Sequence, residues 1–182
     1  MITYVAFLRG INVGGHKLIK MEELRRIFNI PGFKNVRTYI QSGNVLFEGK
    51  EGEEVPFTRK IEQKLRKALG YEVKVFLRTI PELKNIVKQN PFPPHGENAT
   101  LYVSFLSESP DTDRKRLMQA LSNEFETFHI SKREMYSLIR KDTPKPLFSN
   151  NSLEKRLGTS ATTRNWSTVN KILGLSPLLD KG

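Results

Sequence analysis

Two kinds of apolar spacing alternate along the chain. Thr3-Tyr4-Val5-Ala6-Phe7-Leu8 is an unbroken apolar run rich in aromatic and β-branched residues, which predicts a strand. Both of its faces are apolar, so it belongs in the centre of a sheet. Arg9 closes the run and a loop follows, Gly10-Ile11-Asn12-Val13-Gly14-Gly15-His16-Lys17. Met21, Leu24, Ile27 and Phe28 then recur at helical spacing until Pro31-Gly32 stops the helix. Val36 to Gln41 alternates as a half-buried strand, Ser42-Gly43-Asn44 supplies a turn, and Val45-Leu46-Phe47 returns. Ile61, Leu65 and Ala68 or Leu69 mark a second helix closed by Gly70, and Val73 to Leu77 is a fourth strand.

That order, β-α-β-β-α-β, predicts a ferredoxin-like unit in an α+β protein with antiparallel sheets covered by helices. In this topology the first two strands run parallel with the third antiparallel between them. The loop after strand one and the turn after strand two therefore emerge at the same end of the sheet, which makes Gly10–Lys17 and Gln41–Asn44 neighbours.

Thr79, Pro81 and Glu82 spell a capping box that starts a helix with Leu83, Ile86 and Val87 inside. Asn90 to Gly96, with Pro91, Pro93 and Pro94, breaks regular structure and reads as a linker. It divides the chain into a first ferredoxin-like unit with its connecting helix over 1–90 and a second over 91–182. The second round runs from a strand at Thr100–Leu106 to a helix opened by Ser109-Pro110 with Leu117 and Leu121 inward and Met118 beside them. Strands at Phe125–Ile130 and Met135–Ile139 follow, then a loop around Thr143-Pro144-Lys145-Pro146. A short helix, Ser152 to Leu157, stops at Gly158. The last helix begins near Asn165, with Trp166, Val169, Ile172 and Leu173 at core spacing. The second half thus reads β-α-β-β-α, a structural repeat of the first.

Charge narrows the partners. The chain of 182 residues carries a net charge of +11. Residues 1–78 hold 15 Lys/Arg against 8 Asp/Glu, and residues 79–182 hold 15 against 11, so the excess is spread rather than held in a tail. Such a balance suits a phosphorylated small molecule or a nucleic acid as partner, and equally serves solubility. Cysteine is absent, which excludes disulfide scaffolds, thiolate catalysis and sulfur-ligated zinc, and fits the cytoplasm. No apolar run reaches the length of a membrane span or a signal peptide. His16, His95 and His129 have no metal spacing, and no cofactor motif is present.

Four stretches, Leu8 to Gly15, Tyr39 to Val45, Asn90-Pro91-Phe92 and Ala161 to Trp166, in this order and spacing resemble the bacterial family called Domain of Unknown Function 1697. The resemblance spans the chain and implies two ferredoxin-like units. It transfers no catalytic residue, because the family has no established activity. Members often carry Ser-Lys before the short helix, where this chain has Ser149-Asn150.

The glycine loop nearly spells a P-loop, G-x-x-x-x-G-K-[S/T], after a strand. The lysine comes one residue late and no Ser/Thr follows to hold magnesium, which argues against a nucleoside triphosphatase. A looser phosphate nest remains open, since glycine-rich turns present N–H groups to anions; the rival reading is a plain turn with surface cations. The candidate ligand residues are Arg9, Gly10, Asn12, Gly14, Gly15, Lys17, Gln41, Ser42 and Asn44. Arg164 and Asn165, ahead of the last helix, form a second anion-site candidate beside simple capping.

Two alternatives belong to other classes. By fold-level analogy, acylphosphatases use this end of the sheet, with an arginine and loop N–H groups on phosphate and an asparagine on water. Arg9 and Asn44 occupy broadly comparable places, so a metal-independent phosphoryl hydrolase is one alternative. An RNA-binding protein is the other, but Tyr4 and Phe7 lie on opposite faces of strand one and the RNP1 pattern is missing, so it rests on charge.

Overall fold

In the computed structural model, residues 1–15, 17–40 and 42–175 are described. The first unit has β1 (Ile2–Leu8), α1 (Met21–Ile27), β2 (Lys34–Tyr39), β3 (Asn44–Gly49), α2 (Glu54–Leu69) and β4 (Val75–Thr79). Its sheet order is β2-β3-β1-β4, with every neighbouring pair antiparallel. The order and directions are compatible with the ferredoxin-like pattern, and β1 is central as its two apolar faces require.

The core of this unit lies between the sheet and its helices. Tyr4, Ala6, Leu8, Val45, Phe47 and Leu77 meet Leu24, Phe28, Ile61 and Leu65 there. Phe47 is its hub: its ring stacks on Phe33 at 4.0 Å and Tyr4 at 5.4 Å, and meets Phe57 at 6.0 Å edge-on. Gly49 is required beside it, because a Cβ there would sit 2.5 Å from the Phe57 ring. The opposite face of the sheet is buried as well and carries Val5, Phe7, Phe76 and Arg78.

α3 (Ile80–Lys88) leaves β4 directly. Its capping box is reciprocal: the Thr79 N–H donates to Glu82 Oε2 at 2.7 Å and the Glu82 N–H to Thr79 Oγ1 at 3.2 Å. The division into two compact units falls inside α3, between Lys84 and Asn85, ahead of the Asn90–Gly96 stretch; residues 172–175 group with the first unit.

The second unit has β5 (Ala99–Leu106), α4 (Thr112–Ala120), β6 (Glu126–Ser131), β7 (Glu134–Arg140), α5 (Asn150–Leu157) and β8 (Ala161–Asn165), and α6 (Trp166–Leu175) follows. Its sheet order, β6-β7-β5-β8, repeats the first. The repeat extends to register. Val5 faces Arg78 and Val103 faces Arg164, while Phe7 faces Asn44 and Phe105 faces Glu134. Leu8 N–H donates to Gly43 O and Leu106 N–H to Arg133 O, both at 2.8 Å.

Two expectations need correction. Thr162-Thr163-Arg164-Asn165 is not a pre-helical cap alone but the sixth element, β8, paired with β5; its Thr pair has the β-branched chemistry of a strand. In α4, Met118 is the core residue while Leu117 is 63% exposed. The helix is turned by one position because its few apolar residues fix the phase poorly.

Candidate functional site

The same scaffold joins its first strand to its first helix in two ways. In the second unit five residues suffice, 107–111; in the first unit twelve are used, 9–20. Long connections in compact units tend to carry function, so the difference marks the first-unit loop. Ile11 and Ile19 are buried and anchor its two ends. Along the loop Gly10, Gly14 and Gly15 have φ of 74°, 61° and 74°, and Asn12 and Lys17 also sit in the left-handed region at 55° and 52°. A loop so rich in left-handed residues turns N–H groups in directions that regular structure forbids.

Asn12 holds this loop closed. Its Oδ1 accepts the Ile19 N–H at 2.7 Å and its Nδ2 donates to Ile19 O at 3.2 Å, so one side chain mimics a strand partner. Lys17 Nζ lies 4.7 Å from the centre of the Tyr71 ring, a cation–π contact that holds the ammonium at the loop. Burial, then the charge of Glu23, raises the Tyr71 hydroxyl above its ordinary value and keeps the ring neutral beneath that cation. Arg9, half-buried, donates its N–H to Lys74 O at 3.0 Å. Asn12→Ala is expected to release the loop end at a cost of about 1–2 kcal/mol, read as faster exchange of the Ile19 amide. Asn12→Asp, which keeps the acceptor, should recover part of that protection.

The turn between β2 and β3 adjoins the loop. Gly43 has φ of 75°, and a Cβ there would lie 3.1 Å from Leu8 Cβ and 3.3 Å from Ile11 Cβ, so the two segments are neighbours as the topology requires. Asn44 is fully buried; its Nδ2 donates to Ser42 Oγ at 2.8 Å and Tyr39 O at 3.1 Å. Its amide therefore braces the turn, and Ser42 takes part in that brace. Ile40, β-branched and half exposed, has φ of 47°, a conformation that costs energy for such a side chain. His16 and Gln41 lie outside the described residues.

Arg164 and Asn165 are placed differently from one another. Arg164 is buried within the second unit, where its guanidinium donates to Thr162 Oγ1 and Thr163 O, both at 2.9 Å. Burial lowers it to about 10. Asn165 is exposed and caps α6, its Oδ1 accepting from the Ser167 N–H and hydroxyl at 3.0 Å. Asn150 Oδ1 accepts from Thr163 Oγ1 at 2.8 Å, and that hydroxyl also bonds Ser104 Oγ at 2.7 Å.

The strand aromatics are taken up by the fold itself. Tyr4, Phe7 and Phe47 are all buried, and Tyr102 packs on Phe148 at 5.0 Å. Among the described residues no group of three or more His, Asp or Glu could hold a metal ion, and no helix is long and apolar enough to cross a membrane.

One charged feature escaped the sequence reading. α2 carries Arg59, Lys60, Lys64, Arg66 and Lys67 on its outward side, beside two clefts of about 200 Å³ and about 370 Å³. Five cations in nine residues, read at helical period, would have revealed it.

Fold and loop together define an α+β protein of two repeated four-stranded units, with one connection enlarged into an exposed glycine-rich loop. The chain belongs to the family described as Protein of unknown function (DUF1697), whose model matches residues 1–136 and so includes the loop, the turn and α2. Over nearly its full length it is similar to a solved structure, that of the conserved bacterial protein SP0830 from Streptococcus pneumoniae. The two are 23% identical, the match covers 96% of this chain and 98% of that one, and the TM-score is 0.71. The likeness establishes the fold. No curated protein matches the chain.

Proposed function

We propose that this protein is a binding module for a phosphate-bearing, anionic ligand, held by the loop from Arg9 to Lys17. The observation that carries the reading is the enlarged loop itself: exposed, left-handed at five described positions and closed at its base by Asn12. Backbone N–H groups around Gly10, Gly14 and Gly15 would grip phosphate oxygens, and Arg9 and Lys17 would neutralise their charge. Ser42 and Asn44 shape the adjoining turn rather than reach the ligand. Val13 and Leu18, exposed at 64% and 73%, offer the same loop an apolar contact for the rest of the molecule.

The hydrolase alternative requires the Asn44 amide to position a water. Its burial and its bonds to Tyr39 and Ser42 weigh against that role. Base stacking on the first sheet is disfavoured by the burial of its aromatic rings.

Calorimetric titration with inorganic phosphate, pyrophosphate, nucleotides and sugar phosphates tests the proposal. The wild-type protein should bind at least one of them. Arg9→Ala with Lys17→Ala should weaken that binding by about a hundredfold or more, since each charge-assisted bond is worth roughly 1.5–3 kcal/mol and two are removed. Unchanged affinity in the double variant would refute the assignment.

A further inference from the structure

We propose that the outward face of α2 is a docking surface for the phosphate backbone of a nucleic acid, bound through charge and without reading of bases. The surface is separate from the glycine loop and does not depend on its assignment.

Three lysines form the stripe. Lys60, Lys64 and Lys67 fall at i, i+4 and i+7, which places them on one side of the helix. With Gln63, Ile30 and Pro31 they line the cleft of about 370 Å³. No carboxylate lines that cleft, and among the described residues none pairs with Lys60, Lys64 or Lys67. The neighbouring cleft differs in kind. Arg59, Arg66 and Lys74 share it with Glu62 and Glu72, and Arg66 pairs with Glu72 at 3.4 Å. Unscreened positive charge therefore concentrates on the lysine side.

Geometry suits a polyphosphate chain. From Lys60 to Lys67 the helix rises about 10 Å, the axial length of about three phosphates on one strand of a duplex. Lysine and glutamine side chains are among the usual phosphate contacts, and they position a strand without specifying its sequence. The Ile30-Pro31 corner gives the cleft an apolar wall for the sugar edge.

An anionic bilayer would be attracted by the same charge, but the face lacks what insertion needs. A membrane-surface helix sets large apolar side chains between its cations. On α2 the only exposed large apolar residue among those described is Val55, in the first turn, and exposed positions 59, 60, 63, 64, 66 and 67 are cationic or amide.

The test is fluorescence anisotropy with a labelled 20-base-pair DNA duplex and its single strand, each titrated over a series of salt concentrations. Wild-type protein should bind both, with log affinity falling linearly against log salt. Lys60→Gln, Lys64→Gln and Lys67→Gln together should reduce the salt slope by about three for the duplex and about two for the single strand. A control with the same loss of charge in the second unit, Lys132→Gln, Lys141→Gln and Lys145→Gln, should keep most of the slope. Equal losses in the two triple variants would show that net charge alone acts, and would overturn the proposal. So would binding of phosphatidylserine vesicles that depends on the α2 lysines without binding of either oligonucleotide. Because all six residues are exposed, thermal melts of both variants should match the wild type. An α2 variant that melted early while a single Lys64→Glu variant melted normally and bound like wild type would likewise count against it.

Discussion

Phe47→Ala is expected to cost about 3–5 kcal/mol, the range for emptying a large aromatic site in a core. The residue is fully buried at the middle of the first sheet, and its ring touches those of Tyr4, Phe28, Phe33 and Phe57. Those four rings come from β1, the end of α1, the approach to β2, and α2. Removing the hub leaves each of them facing a void that stiff aromatic neighbours fill poorly. Phe47→Leu should cost about half as much. Because a chain of two units need not unfold in one step, hydrogen exchange is the better readout. Amides of β1 and β3 should lose more protection than those of β5 and β7, and a loss below about 1 kcal/mol would contradict the packing described.

The second large effect is expected at Glu126. This carboxylate is buried at the start of β6, and it accepts the N–H of Leu147 at 2.9 Å through Oε2 and of Phe148 at 3.0 Å through Oε1. It thereby ties down the connection from β7 to α5 and seats Phe148 against Tyr102. Glu126→Ala strands both donors and should cost about 2–4 kcal/mol. Glu126→Gln keeps one acceptor but turns an NH2 toward the other donor, so its loss should be intermediate. Lys141 is exposed in the same connection, so trypsin should cut the alanine variant after Lys141 faster than the wild type. Equal cleavage rates would show that the carboxylate does not hold the segment.

Much of this architecture was legible because the hydrophobic pattern and the turn residues agree. The continuous apolar run of β1 required a central strand, the Thr79–Glu82 spacing named a capping box, and β-α-β-β-α-β order alone made the glycine loop and the Ser42–Asn44 turn neighbours. What was hidden depended on burial of polar groups, which a pattern of apolar positions does not report. Arg164 looks like a surface cation before a helix, yet it lies buried in a strand with Thr162 and the Thr163 carbonyl as acceptors. Its register partner equivalent, Arg78, is buried in the other repeat in the same way. Asn44 reads from the sequence as a candidate ligand contact or as turn chemistry, and its burial and its bonds to Tyr39 and Ser42 add that it braces the turn. Asn12 reads as a ligand contact, while its amide is engaged with the Ile19 backbone. In each case the side chain found a partner in its own fold, and only the register shows it.

The candidate loop divides along the same line. The glycine spacing and the cations were visible in the sequence, whereas the left-handed geometry of Asn12 and Lys17 and the contact of Lys17 with Tyr71 were not. Neither non-glycine residue belongs to a residue type that would force such a backbone, so the closure by Asn12 had to be seen in three dimensions.

The most direct test of the central claim is an amide-resolved NMR titration with pyrophosphate at low salt. Saturable shifts confined to Gly10, Gly14, Gly15 and their neighbours, and abolished by Arg9→Ala with Lys17→Ala, are the predicted result. Shifts that gather elsewhere while the loop amides stay still would contradict it.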